Sequence, residues 1–324
     1  MKVILLTILG IAFGLFVLVE AGLKWRFGFG NPLLYLADEE IGYLIAPNQR
    51  TRRNGKLIEI NQYSMRSAAT QKVPAAETLR ILVIGDSIAN GGWWTDQENT
   101  VSSLMMKSLA SVNTINKQHV EVLNASANSW GPMNELAYLQ RFGSFSSQVI
   151  VQMINTDDLF ATKPTSLPVG RDRNYPQTKP PLAIVEVFQR YIQKPQPIPE
   201  LIALQQQGGD RIEANLTAIA KIKALATENN CLYLLVMTPL KRELGKPGSH
   251  DYEVKARQRL VDFTQAQGIN YIDFLPFFNS YSEPKSLYHD HIHLNLQGNQ
   301  FVNKVIEKEL LELLQQKSSE LLKS

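Results

Sequence analysis

Two short blocks near opposite ends of the chain hold side chains suited to nucleophilic chemistry. Gly85-Asp86-Ser87-Ile88 presents a serine hydroxyl, and Asp290-His291-Ile292-His293-Leu294-Asn295 presents imidazoles beside a carboxylate. A serine is a weak nucleophile until a base takes its proton, and a histidine base needs a partner that fixes its tautomer. Asp290, three residues before His293, lets base and carboxylate arrive on one loop. A second chemistry competes for the same residues. His289, His291 and His293 alternate, so on an extended strand they would share one face and, with a carboxylate, form a ligand set for a divalent metal.

Either chemistry needs a scaffold that joins the two blocks. Leu79–Ile84 is a nearly unbroken apolar run ending at Gly85, the pattern of a parallel strand buried on both faces. Val120–Leu123, Val149–Ile154, Leu232–Met237 and Tyr271–Phe274 repeat it. Between them, Val101, Leu104, Met105 and Leu109, and later Ile212, Leu216, Ile219 and Ile222, keep helical spacing. Alternating strands and helices predict an α/β domain with a parallel sheet. Ligands of such sheets collect beyond the carboxyl ends of the strands, where Ser87 falls, at a helix start whose free N–H groups can face a developing negative charge. A proline-rich insertion over 161–209 interrupts the alternation, either as a lid or as a long surface loop, and Phe301–Leu322 reads as a closing helix.

With these blocks in place, residues 79–315 resemble the SGNH, or GDSL, hydrolase family, in which the serine lies in a Gly-Asp-Ser block after the first strand and the aspartate and histidine in an Asp-x-x-His block near the carboxyl terminus. The resemblance implies a three-layer, flavodoxin-like sandwich. It makes Ser87 the nucleophile, His293 the general base, Asp290 its orienting carboxylate and Asp86 a structural acid. It implies an oxyanion hole built from the N–H of Ser87, the N–H of Gly131 and the side chain of Asn155. The third block departs from the family's Gly-x-Asn-Asp: Ile154-Asn155-Thr156-Asp157-Asp158 offsets the asparagine, and strict alignment on the last acid puts Asp157 in its place. A carboxylate there would repel the oxyanion an amide stabilises. The implied activity is hydrolysis or transfer of an acyl ester, on a cell-envelope polysaccharide and outside the cytoplasm, with no cofactor.

At the amino terminus, Val3–Val19 carries no charge between Lys2 and Glu20, long enough for one membrane-crossing helix through residues 3–19. Residues 1–22 read as a transmembrane anchor or signal segment, 23–76 as a linker with short strands, and 77–324 as the hydrolase domain. Lys24 and Arg26 after the helix lean weakly towards a cytoplasmic domain, against the resemblance. Lys plus Arg is 33 and Asp plus Glu 30 in 324 residues, too even a balance for a nucleic-acid-binding stripe. The single cysteine, Cys231, excludes an intrachain disulfide, and Gly85–Gly92 lacks the Gly-Lys-Ser/Thr of a phosphate loop. A non-enzymatic reading also follows: a glycan-binding or assembly protein on this scaffold, with Trp93 and Trp94 stacking on a sugar ring.

Overall fold

The computed structural model describes residues 1–112 and 117–321. Two antiparallel hairpins come first, β1 (Tyr35–Asp38) with β2 (Gly42–Ile45) and β3 (Gln49–Arg53) with β4 (Lys56–Ile60). The five apolar runs then form one parallel sheet from β5 (Thr78–Gly85), β6 (His119–Ser126), β7 (Val149–Asn155), β8 (Leu232–Thr238) and β9 (Asn270–Asp273), in the order β6-β5-β7-β8-β9. This is the flavodoxin-like order, whose direction of winding reverses at β5/β7.

Side chains alternate between the faces of a strand, so a sheet covered on both sides needs apolar residues at every position. Leu82, Ile84, Ile150 and Leu235 enter one core, where helices Pro132–Phe142, Arg211–Glu228 and Asp251–Ala266 bring Leu139, Leu216, Ile219 and Leu260. Ile81, Val83, Val151 and Val236 enter the other, against Met105 and Leu109 of Val101–Ala110 and Val302, Ile306 and Leu310 of the closing helix Leu296–Leu321. The three-layer sandwich follows. Leu322, the expected last residue of the closing helix, lies outside the described residues.

Residues 23–76 do more than connect. Tyr35, Ile41, Tyr43, Ile45, Ile58, Ile60 and Met65 are buried in the same core as Leu82 and Ile84. Each hairpin buries apolar side chains in that core, with β2 buried along its whole length, and cannot stand away from the domain. The Tyr43 hydroxyl donates to the Asn128 carbonyl at 2.5 Å, and Trp130 Nε1 donates to the Tyr43 carbonyl at 3.1 Å.

Before the hairpins, helix Lys2–Gly22 runs into a wider turn, Leu23–Phe27, and this unit is long and apolar enough to cross a membrane. Its side chains are exposed up to Glu20, which is buried. The Glu20 carboxylate accepts from the N–H groups of Ala183 (2.7 Å) and Ile184 (3.0 Å), tying the end of this helix to the insertion over 161–209.

Candidate active site

Strand β5 delivers its serine through two constraints. A Cβ at Gly85 would lie 2.5 Å from the Met153 carbonyl oxygen and 2.9 Å from Ala89 Cβ, so the turn closes on β7 only with glycine. Asp86 then caps the short helix Ser87–Asn90, its Oδ1 accepting from the Ile88 N–H at 2.8 Å. Asn124 of β6 donates to the Ala89 carbonyl at 2.7 Å and fixes the other end of that turn.

The second block is a tight loop pinned by an antiparallel bridge between Tyr288 and Leu294, both buried. Asp290 Oδ1 accepts from the N–H groups of Ile292 (2.9 Å) and His293 (2.8 Å), which leaves Oδ2 facing the ring. His293 Nδ1 lies 2.7 Å from Asp290 Oδ2, and His293 Nε2 lies 2.9 Å from Ser87 Oγ. Burial pushes the Asp290 carboxyl up, but the bonds from the His293 ring and the two N–H groups outweigh it and hold the pKa at about 2. With Asp290 ionised, Nδ1 carries the proton and Nε2 is the acceptor for the serine hydroxyl.

Trp94 packs against the His293 ring, centroids 4.1 Å apart, and stacks on His289 at 5.6 Å. Gly92 makes room for it, since a Cβ there would fall 2.3 Å from the Trp94 ring. Trp94 is therefore occupied by the imidazoles, while Trp93 turns a half-exposed ring to the cavity.

The three histidines do not converge. His289 lies on Trp94, His291 points outward with 88% of its side chain exposed, and His293 is committed to Asp290 and Ser87. Among the described residues, no group of three or more His, Cys, Asp or Glu is arranged to hold a metal. The reason is conformational: the segment is a turn closed by the Tyr288–Leu294 bridge, not a strand with one face.

Gly131 and Asn155, expected at the oxyanion hole, are both engaged in other hydrogen bonds. The Gly131 N–H donates to Asn134 Oδ1 at 3.0 Å, starting helix Pro132–Phe142, and Gly131 does not line the cavity over Ser87. Ser129, two residues earlier, does line it. Ser129 has φ +59°, and its N–H has no partner among the described residues. Asn155 comes to the site ahead of Asp157, which is exposed. Yet both Asn155 amide hydrogens are engaged: Nδ2 donates to Asp86 Oδ2 at 2.7 Å and to Asp158 Oδ2 at 2.9 Å. Asn155 thus bridges two buried carboxyls. Burial raises both Asp86 and Asp158, and the mutual proximity of the two acids lifts Asp158 further.

Arg66 had no motif to announce it. It is buried, and its guanidinium donates to the carbonyls of Asn90 (2.6 Å), Gly92 (2.5 Å) and Thr95 (2.5 Å), gripping the loop that follows the serine and carries both tryptophans. Burial lowers its pKa to about 9, so it stays charged at neutral pH.

A cavity of about 400 Å³ opens on Ser87 and His293. Its walls come from the sheet-end loops, from residues 29–58 and from the insertion, through Phe29, Arg53, Tyr175 and Arg190 among others. The side-chain order from hydroxyl to imidazole to carboxylate is that of a serine acyl-transfer site.

No curated protein matches the chain. Among solved structures, the acetyl xylan esterase AlAXEase superposes with a TM-score of 0.48 at 13% identity, covering 71% of this chain and 98% of that one. Axe2, an acetylxylan esterase from Geobacillus stearothermophilus, gives 0.49 at 11% identity, covering 74% and 96%. Residues 83–301, well over half of the 324, match the GDSL-like lipase/acylhydrolase family, and the chain belongs to that family of serine ester hydrolases.

Proposed function

We propose that Ser87, His293 and Asp290 carry the ester chemistry. The observation behind this is the continuous relay of 2.9 Å and 2.7 Å from hydroxyl to imidazole to carboxylate. Ser87 Oγ attacks the ester carbonyl as its proton passes to His293 Nε2. The imidazolium that forms is stabilised by Asp290. The tetrahedral oxyanion is held by the N–H of Ser87, left free at the first helical position, and by the N–H of Ser129. Collapse expels the alcohol with the proton from His293, and a water activated by the same nitrogen releases the acid. A sugar hydroxyl in place of water makes the second step a transfer. Asn155 acts through Asp86: by clamping that carboxylate it fixes the cap on the serine turn.

The substrate in this reading is an acylated sugar of a cell-envelope polysaccharide. Trp93 and Tyr175 give the cavity aromatic faces of the kind that pack on sugar rings. Residues 1–22 tether the domain, with residues 77–324 outside the cytoplasm, as the resemblance implies. Cysteine accessibility in intact cells tests the topology; a cytoplasmic carboxyl-terminal domain overturns that part.

The central experiment uses the full chain in neutral detergent with an activated acetyl ester and a fluorophosphonate probe. Turnover and a covalent label on Ser87 are expected. Ser87→Ala is expected to remove the label and reduce kcat/KM by about 10³-fold or more. Label on another residue, or turnover surviving Ser87→Ala, overturns the assignment.

A further inference from the structure

The cavity over Ser87 continues to a second, chemically different end. Phe29 and Arg53 come to it from the segment after the amino-terminal helix, and Arg173, Arg190 and Tyr191 from the insertion. Its cationic lining residues are Arg53, Arg173 and Arg190, and no carboxylate among the described residues lines it.

One acid stands behind this wall. Glu186 accepts from the Gly30 N–H at 2.6 Å, pairs with Arg53 and meets Arg190 Nε at 3.2 Å. Arg173 spends its visible bonds on neutral acceptors, the carbonyls of Arg190 and Gln193. Asp172, next to it, accepts from the Asn174 N–H and lines a different depression. A single carboxylate therefore pairs with two of the three guanidinium groups, and Arg173 has none. Arg53 is 7% exposed, lies 4.4 Å over the Phe29 ring, and its Nη1 has no partner among the described residues. A buried donor left without an acceptor is destabilising, and guanidinium forks match planar or tetrahedral oxyanions with paired hydrogen bonds.

We propose that Arg53, Arg173 and Arg190 form an anion subsite that receives a phosphate or carboxylate group borne on the alcohol part of the ester whose acyl carbon meets Ser87. This inference rests on the reading of Ser87 as nucleophile. At about 400 Å³ the cavity falls within the range of roughly 300–1,000 Å³ typical of small-ligand sites, so ester and anion belong to one molecule the size of a sugar ring or a glycerol phosphate. Three guanidinium groups facing one end of a cavity without a lining carboxylate select a charged alcohol over a neutral one of the same shape.

The test keeps the full chain in neutral detergent. Calorimetry compares glycerol 3-phosphate with glycerol, and glucuronate with glucose. At least one anion is expected to bind tenfold or more tightly than its neutral counterpart, and the pair that responds tells phosphate from carboxylate. Arg190→Gln and, independently, Arg173→Gln are expected to weaken that binding by about 10- to 100-fold, with Arg190→Lys keeping part of it. The kcat/KM ratio of acetylglycerol phosphate to acetylglycerol, or of acetylated glucuronate to acetylated glucose, is expected to fall towards one in the same variants. Thermal unfolding of each variant identifies any that fails to fold, in which case the other decides. Anions binding no better than their neutral counterparts, or binding that both folded glutamine variants retain, overturns the subsite. Turnover of neutral esters without anion preference removes the subsite and keeps the serine reading. Anion binding without turnover of any ester removes the serine reading instead.

Discussion

At the Ser87 end of the cavity the acidic groups are carboxyls, with Asp86, Asp158 and Glu135 buried under the sheet end and Asp290 half-buried on its loop. The Phe29 end carries guanidinium groups instead. The two ends are also built differently. Ser87, His293 and Asp86 are each held by short hydrogen bonds from the ends of parallel strands or from a pinned loop. Arg53, Arg173 and Arg190 come from a hairpin and an insertion packed on the sheet, and one of them keeps an unmet donor. A reaction that moves a proton over one bond needs rigid placement, which the sheet supplies. In the proposed reading, recognition of the alcohol falls to these segments and not to the strand ends.

The largest effect expected at the rigid end is from Asp290→Asn. It keeps the shape but loses the charge that sets the imidazole tautomer, and kcat on an activated acetyl ester should drop by about 10³- to 10⁴-fold with KM little changed. A loss of less than tenfold would separate Asp290 from the chemistry. Asn155→Ala should lower kcat by about 10²-fold, by releasing Asp86 and loosening the serine turn. If kcat were unchanged, Asn155 would be a structural cap only.

Arg66 ties the amino-terminal segment to the loop after Ser87. Arg66→Met strands three buried carbonyls and should destabilise the fold by about 3 kcal/mol, read by denaturant unfolding, and it should also raise proteolysis between Asn90 and Thr95. Unchanged stability would mean that the loop stands without it.

The smallest effect concerns the carboxyl cluster. Burial raises Glu135 to a pKa of about 8, against an opposing bond from Gln152 and with help from the charge of Asp86. The folded chain therefore holds a proton there that the unfolded chain gives up above its ordinary 4.5. The stability from this group is full below that value and is lost as pH rises through about 8. Between pH 6 and pH 9 the loss should be about 2 kcal/mol, and Glu135→Gln should flatten it. An equally steep decline in the variant would place the titrating group elsewhere.

The apolar runs marked the five sheet strands because a strand covered on both faces has no solvent side, so most of its positions are apolar and the run shows in a short window. Ser87, Asp290 and His293 were legible for a related reason: each lies where such a strand ends or where a polar loop interrupts the pattern. The metal reading of His289, His291 and His293 rested on a strand-like backbone that the Tyr288–Leu294 bridge replaces with a turn. Gly131 matches the family's glycine by its block, while the cavity is lined by Ser129, in a left-handed conformation that serine seldom adopts and no local pattern announces. The amino-acid order alone determined the sheet strands and the two short blocks that hold Ser87 and the Asp290–His293 pair, because those depend on patterns within a few neighbours. Only the tertiary structure decided that Arg66 grips the serine loop and that three arginines from separate segments share one cavity, because those contacts join residues distant in the chain whose types carry no local signal of where they meet.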